Sequence, residues 1–338
     1  MKKIVIKSKH LAALVDAPTP RPKENWALVK IHAAPMCTEY KIWEAGRPSE
    51  FLGHEAAGEV VEVAQPCRVQ VGDRVVVQPL YACGKCALCI AGEHIHCEHP
   101  MDIAAFTGSP EGRATYAQYL LKPDWLLSPI PSDMSYEDAS LACCALGPSF
   151  GALNAMGVSA YDTVLITGLG AVGLGGVVNA RYRGARVIGV EAIPYRVERA
   201  LAMDVEAVID PNDPQALQRI LALTNGVGVD CALDCSGVVA AQRLCIDATR
   251  RKGKVAFVGE CHEELAIRVS PDMIRKGLTI IGSWHYNLAL YPKILQVIRR
   301  SPLIGELVSH VLPMSQIQRA FEISASHQCA KIILKPWE

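Results

Sequence analysis

The chain carries no excess of either charge. Its 34 lysines and arginines balance 34 aspartates and glutamates, for a formal net charge of zero. No basic stripe is present to bind nucleic acid, and no run of like charge suggests a tail or a membrane-surface helix. No apolar run is long enough to span a bilayer. The opening stretch, MKKIVIKSKHLAALVDAPTP, lacks a continuous apolar core ending in a small-residue cleavage site. Its apolar residues alternate as in a strand, so no secretory leader is expected. Internal repeats and low-complexity segments are missing too. What remains is a 338-residue chain, half of it hydrophobic, which is long enough for two ordinary domains. The expectation is a cytoplasmic enzyme with a small-molecule substrate, and neither nucleic acid nor a membrane as partner.

Cysteine is the residue the chain has in plenty. There are thirteen, an odd number, and without a secretion signal a disulfide framework is not the expected use. Cys231, Cys235 and Cys245 lie in apolar blocks and read as small buried residues. The clustered ones read as metal ligands. Cys83-x2-Cys86-x2-Cys89-x7-Cys97 can wrap one ion as a tetrahedral tetrathiolate, the x2 spacings forming tight knuckles. Zinc suits a closed four-sulfur shell with no redox task, and an iron–sulfur cluster is the alternative. His94, His96 and His99 crowd the same loop and read as surface residues or as residues behind a complete thiolate shell.

The run Thr163–Glu191 organises the second half. Val164, Leu165 and Ile166 form a short apolar block, as a strand buried on both faces would. Gly168-Leu169-Gly170-Ala171-Val172-Gly173 then fits G-x-G-x-x-G and leads into a small-residue helix. A second apolar block, Val187–Val190, ends in Glu191. In such a unit Gly168 permits the turn, Gly170 admits a pyrophosphate, and Gly173 lets helix and strand pack closely. The first helical N–H groups, at Ala171 and Val172, face the phosphates. Glu191 is placed to accept hydrogen bonds from an adenosine ribose diol and would repel a 2′-phosphate, which points to NAD rather than NADP. Before residue 150 the chain reads as short strands and turns, with Trp26–His32 alternating as a half-buried strand. A helix capped by Ser135 is expected to carry Leu141–Leu146 and to lead through Gly147-Pro148 into another. After residue 190, strand and helix alternate.

Taken together, Cys37, Gly53-His54-Glu55, the four-cysteine lobe, Cys144 and the Gly168–Gly173/Glu191 fingerprint resemble the zinc-containing medium-chain alcohol and polyol dehydrogenases across essentially the whole chain. The resemblance implies an α/β fold. A GroES-like β-rich catalytic domain (1–146 and 286–338, with the structural-zinc lobe 83–97) would be interrupted by a doubly wound, parallel-sheet Rossmann coenzyme domain (147–285). It implies two zinc ions per chain and NAD, and a homo-oligomer, dimer or tetramer, formed through the coenzyme domain. Catalytic zinc would be held by Cys37, His54 and Cys144, with Glu55 beside it. Cys143 is the alternative to Cys144; Gly147 stands where some relatives place a glutamate ligand. Thr38, Arg196, Cys235, Ser236, Gly259 and Lys331 are expected near the coenzyme, Lys331 at the pyrophosphate.

The ligand chemistry agrees with this. Cysteine, histidine and cysteine from separate segments leave a fourth position for an alcohol or carbonyl substrate. One departure stands out. Relatives usually have Ser or Thr two residues after the first cysteine, as the start of a proton relay; here it is Glu39, followed by Tyr40, with Ile42 where some relatives place a relay histidine. Glu39 is then either a general base for the substrate hydroxyl or a carboxylate behind the ligands. Glu39 and Asp102 point to a polar substrate, so oxidation of a secondary alcohol in a polyol, sugar or cyclitol is the leading expectation. The alternatives are a simple alcohol or a threonine-type amino-alcohol, a zinc-independent quinone or enone reductase, and a cofactor-binding protein without catalysis.

Overall fold

The computed structural model describes residues 1–338. Contacts divide them into two compact units, one of Met1–Cys144, Asn287–Arg299 and Val308–Glu338, the other of Ala145–Tyr286 with Arg300–Leu307. The return segment is therefore shared: Arg300–Leu307 packs with the second unit, where the sequence reading placed all of 286–338 in the first. No helix is long and apolar enough to cross a membrane.

The first unit is built on a mixed sheet in the order Val308–Pro313, Lys331–Lys335, Trp26–Pro35, Ala56–Val63, Arg74–Val77, Leu127–Pro129, with Tyr119–Pro123 also pairing to Trp26–Pro35. Only Val308–Pro313 and Lys331–Lys335 run parallel. The alternation over Trp26–His32 predicts a half-buried strand, yet strand Trp26–Pro35 is covered on both faces. Ala27, Val29 and Ile31 enter the main core, while Trp26 and Leu28 pack with Ile103 and Leu121 in a second cluster. The alternation in sequence thus separates two cores, not core from solvent.

The second unit holds a six-stranded parallel sheet in the order Ala207–Ile209, Arg186–Val190, Thr163–Thr167, Val229–Asp234, Thr249–Phe257, Thr279–Gly282. This is the doubly wound arrangement, and its strand order reverses beside Thr163–Thr167, where ligands bind in such sheets. Thr163–Thr167 is buried throughout. Helix Ala171–Tyr182 lies close to the sheet because its buried face is small, with Gly173, Gly175, Gly176 and Ala180 on it.

The helix capped by Ser135 is shorter than expected. Tyr136–Ser140 is helical and Gly147–Met156 is helical, but Leu141–Leu146 forms turns. Leu141, Ala142 and Cys143 donate to carbonyls three residues back, and the Cys144 N–H leaves the local ladder to donate to the Glu55 carboxylate at 3.0 Å. A buried carboxylate thus wins this amide from the helix.

Candidate active site

The four cysteines of the lobe converge, with their sulfurs all within 4.8 Å of one another. In a tetrahedron with zinc–sulfur bonds of 2.3 Å, sulfurs lie about 3.8 Å apart; Cys83 and Cys89 are 4.0 Å apart. Backbone N–H groups of Cys83, Cys86 and His99 donate to the sulfurs of Cys97, Cys83 and Cys97 at 3.2–3.4 Å, which favours thiolates. Hydrogen bonds from backbone bring Cys86 down to about 6. The donor set fits a tetrathiolate zinc with no open position. The lobe has only a small apolar cluster of its own, Ala82, Leu126 and the cysteines among its members. His94 is a correction: it is fully buried, and neither ring nitrogen has a hydrogen-bond partner. Burial, with Lys122 nearby, drives its pKa down to about 4, so it packs as a neutral ring edge-on to Trp125.

A second cluster joins Cys37, after strand Trp26–Pro35, His54 and Glu55, before strand Ala56–Val63, and Cys144, from the turns described above. One ligand atom from each lies within 4.8 Å of the others. His54 Nε2 is 3.1 Å from Cys144 Sγ. A hydrogen bond from Cys144 lowers the Cys37 pKa and raises that of Cys144, and a bound ion would draw both to the thiolate. Cys143 turns away, donating its S–H to the Val77 carbonyl at 3.4 Å. Glu55 is buried and committed on both oxygens, to the Lys331 ammonium at 2.6 Å and the Cys144 N–H at 3.0 Å. Two cysteines and one histidine are left to hold an ion, with the His54 side chain 36 % exposed on the open side. The set fits zinc with one open position.

Glu39 does not face that open position. Its Oε1 takes the His54 Nδ1–H at 2.9 Å, and its Oε2 takes the Tyr116 hydroxyl at 2.8 Å and the Cys37 N–H at 3.0 Å. Burial pushes its pKa up, but His54 and Tyr116 overrule this and hold it at about 2. A carboxylate so acidic is a poor general base at neutral pH. Its bond to His54 Nδ1 fits instead the part of a partner that orients a histidine ligand. Burial lowers the His54 pKa, while Cys37, Glu39 and Glu55 carry it up to about 11, and an ion at Nε2 would displace that proton.

Lys331 is the second correction. It is 1 % exposed, and its ammonium donates to Glu55 and to the Met36 carbonyl at 2.9 Å, so it has no reach to spare for a pyrophosphate. Asp102 is the third: it is the N-cap of helix Ile103–Thr107 and accepts from Ala104 and Ala105 N–H. Thr38 is exposed, in the turn before helix Tyr40–Ala45.

Gly53 has a reason to be glycine. Its φ is +82°, and a Cβ there would lie 2.3 Å from Thr115 Oγ1 and 2.4 Å from the Tyr116 ring. Gly53→Ala is expected to lose at least about 1–3 kcal/mol of unfolding free energy from backbone strain alone, measured by urea titration at fixed free zinc. An unchanged midpoint would contradict the packing described.

In the second unit the glycine turn forms a cradle. Gly168 has φ +77° and lies against Ser236, and a Cβ on Gly173 would be 1.9 Å from the Gly168 carbonyl. Gly170 differs: a Cβ there would meet only the Arg196 guanidinium, at 3.7 Å or more. Helix Ala171–Tyr182 begins beside Gly170, with the Arg196 guanidinium close by, so the residues fit an anionic pyrophosphate. Glu191 already accepts N–H groups from Leu169, Ala192 and Ile193 at 2.8–3.0 Å, with Arg196 3.7 Å away. A carboxylate has about four acceptor sites, so room for a ribose hydroxyl is left. Cys235 donates its N–H to the Thr167 carbonyl, and Gly259 packs backbone to backbone on Gly237. Both loops hang on Asp234, a residue the sequence reading passed over. It is fully buried and accepts from Thr167 and Ser236 hydroxyls and the Ser236 and Gly237 amides. An acid ending an apolar strand before Ser-Gly was its available signal.

Comparison with known proteins gives two family matches. Residues 23–132 match the family described as alcohol dehydrogenase GroES-like domain, and residues 171–300 the one described as zinc-binding dehydrogenase. The chain is 32 % identical to the uncharacterized zinc-type alcohol dehydrogenase-like protein YphC of Escherichia coli K12, over 95 % of this chain and 94 % of that protein. It is 29 % identical to an L-threonine 3-dehydrogenase of Symbiobacterium thermophilum, over 96 % and 94 %. Among solved structures, alcohol dehydrogenase TADH from Thermus sp. ATN1 superposes with a TM-score of 0.90 at 26 % identity, with 99 % of each chain covered.

Proposed function

This chain belongs to the zinc-containing medium-chain alcohol dehydrogenase family, and from that premise we propose that it oxidises a secondary alcohol of a polyol, sugar or cyclitol, passing a hydride to NAD. The observation that carries this reading is the Cys37, His54, Cys144 set, whose neighbouring carboxylate Glu55 is held by Lys331 and so leaves a coordination position for substrate. Bound there, zinc supplies Lewis acidity that makes an alcohol hydroxyl more acidic and polarises a carbonyl. Two thiolates and a neutral imidazole hold that charge. Glu39 fixes the His54 tautomer, with Nδ1–H toward the carboxylate, which would leave Nε2 free to ligate. Lys331 neutralises Glu55 behind the ligands. With both Glu39 oxygens turned to His54, Tyr116 and Cys37, the substrate proton leaves by way of solvent and not through this side chain.

The same engagement bears on substrate class. An amino-alcohol would need a carboxylate for its ammonium, and the one at position 39 is turned to His54, Tyr116 and Cys37. A substrate with hydroxyl groups alone makes no such demand, which favours polyols, sugars and cyclitols, along with simple alcohols, over threonine. The second zinc would sit on Cys83, Cys86, Cys89 and Cys97 in a structural role. Gly168, Gly170, Ala171, Val172 and Gly173 would cradle the coenzyme, with Glu191 and Arg196 at its adenosine end. The proposal includes a cytoplasmic homo-oligomer. The outer edge of strand Thr279–Gly282, which has a single neighbour, supports growth by a second copy, and sedimentation measures it.

The deciding assay is NADH formation from NAD with a panel of polyols, sugars, cyclitols, simple alcohols and L-threonine, before and after chelation of zinc. Metal-dependent turnover confined to a polyhydroxy class is expected. Turnover that survives zinc removal would overturn the mechanism, and turnover on threonine alone would overturn the substrate class.

A further inference from the structure

Tyr116 lies behind the metal ligands and touches no position open to substrate. It is completely buried. Its backbone is pinned between two other segments, the N–H donating to the Leu52 carbonyl at 3.0 Å and the carbonyl accepting from Ile4 at 2.8 Å. The hydroxyl makes two bonds. It donates to Glu39 Oε2 at 2.8 Å and accepts the Cys37 N–H at 3.3 Å. That same N–H is shared with Glu39 Oε2, and the other Glu39 oxygen holds His54 Nδ1. The ring occupies the space a side chain at residue 53 would need, its Cδ1 and Cε1 2.4 and 2.6 Å from where a Cβ would stand. One phenol therefore fixes the main chain of the first ligand, the carboxylate that orients the second, and the approach of the segment that carries it.

We propose that Tyr116 is a positioning residue of the metal centre, setting the relative placement of Cys37 and His54 through a single hydroxyl. This rests on the metal-site reading above and goes beyond it, because Tyr116 neither ligates nor meets substrate. The ring accounts for packing against Gly53, and the hydroxyl accounts for the coupling between ligands. Tyr116→Phe separates the two: it retains the ring and removes the bridge. Glu39 Oε2 then has one donor in place of two, and the carboxylate can swing away from His54.

Outer partners of a ligating histidine typically change metal affinity by about 10–100-fold. Tyr116→Phe is accordingly expected to speed zinc loss from the three-ligand site to a chelator by about tenfold or more, while the four-cysteine zinc is released at the native rate. With cobalt(II) in place of zinc, the visible ligand-field bands should shift in position or intensity. kcat should fall while KM for NAD stays put, since the coenzyme cradle is built from other residues. A purely structural role would move neither the cobalt spectrum nor the release rate. The same substitution in a Glu39→Ala background should add only what the long bond from Cys37 N–H contributes, because the shorter one runs through Glu39, whereas independent effects would multiply. Should Tyr116→Phe fail to fold, Glu39→Asp serves instead: one methylene shorter, it cannot reach both His54 and Tyr116, and the same faster zinc release is expected. Native release rates and an unchanged cobalt spectrum in a protein that binds two ions would overturn this inference alone. A native protein that binds one ion would overturn it together with the metal-site reading.

Discussion

Lys331→Met is expected to lower unfolding free energy by about 3–5 kcal/mol, the usual result of removing one member of a buried ion pair. Lys331 and Glu55 are 1 % and 0 % exposed in their side chains and 2.6 Å apart. Burial pulls the lysine pKa down, but Glu55, Cys37 and Cys144 outweigh it and hold the ammonium charged. Burial raises the Glu55 pKa even with Lys331 pulling it down. Without the lysine, Glu55 would be an unpaired carboxylate beside two thiolate ligands. It would then take up a proton or turn toward the ion. Glu55→Gln together with Lys331→Met should regain most of the loss, because no buried charge is then left alone. Urea titration at fixed free zinc reads this, since metal binding itself stabilises the folded state. The experiment also separates two placements of the lysine. A pyrophosphate contact would raise KM for NAD and leave stability untouched. A single-variant loss below about 1 kcal/mol, typical of an exposed pair, would contradict the buried pairing.

That lysine also shows where the sequence stops being legible. Thr163–Glu191 could be read as strand, turn, helix and strand because its signals are local. They are an apolar block, glycines at fixed offsets and a terminal acid, and the φ of +77° at Gly168 is the kind of constraint a single residue type announces. The four-cysteine lobe was legible for the same reason, with all its ligands inside one short segment. Cys37, His54 and Cys144 come from separate segments, and only the resemblance to a known family joined them. Their partners were less legible still. Lys331 meets Glu55 across 276 residues, and Tyr116 meets Glu39 across 77. No periodicity encodes which buried acid a lysine will find. Glu39 could be read as unusual but not as occupied, since a carboxylate is a base or an anchor according to what already donates to it. Leu141–Leu146 looked helical by propensity and was diverted by one amide's bond to Glu55, a tertiary choice that local pattern cannot carry.

Cys144→Ala should have the largest effect on turnover. Lewis-acid stabilisation by a bound metal contributes several kcal/mol to the transition state, so kcat/KM should fall on the order of a hundred- to a thousandfold. Zinc content should drop from two ions per chain to one. Stability should change little beyond the loss of bound metal, because the contact that shapes this turn, Cys144 N–H to Glu55, belongs to the backbone and survives the substitution. Cys143→Ala is the matched control. Its sulfur faces the Val77 carbonyl and not the cluster, so both ions and most of the turnover should remain, with a modest stability cost from the small void. Cys97→Ala should also leave one ion, but with the opposite signature. The lobe has little apolar core to fall back on, so its chain becomes the first point of proteolytic attack, while the three-ligand centre keeps its metal. Metal analysis alone cannot distinguish Cys144→Ala from Cys97→Ala; turnover and protease sensitivity together do. If Cys143→Ala abolished turnover and Cys144→Ala spared it, the assignment of the third ligand would be reversed.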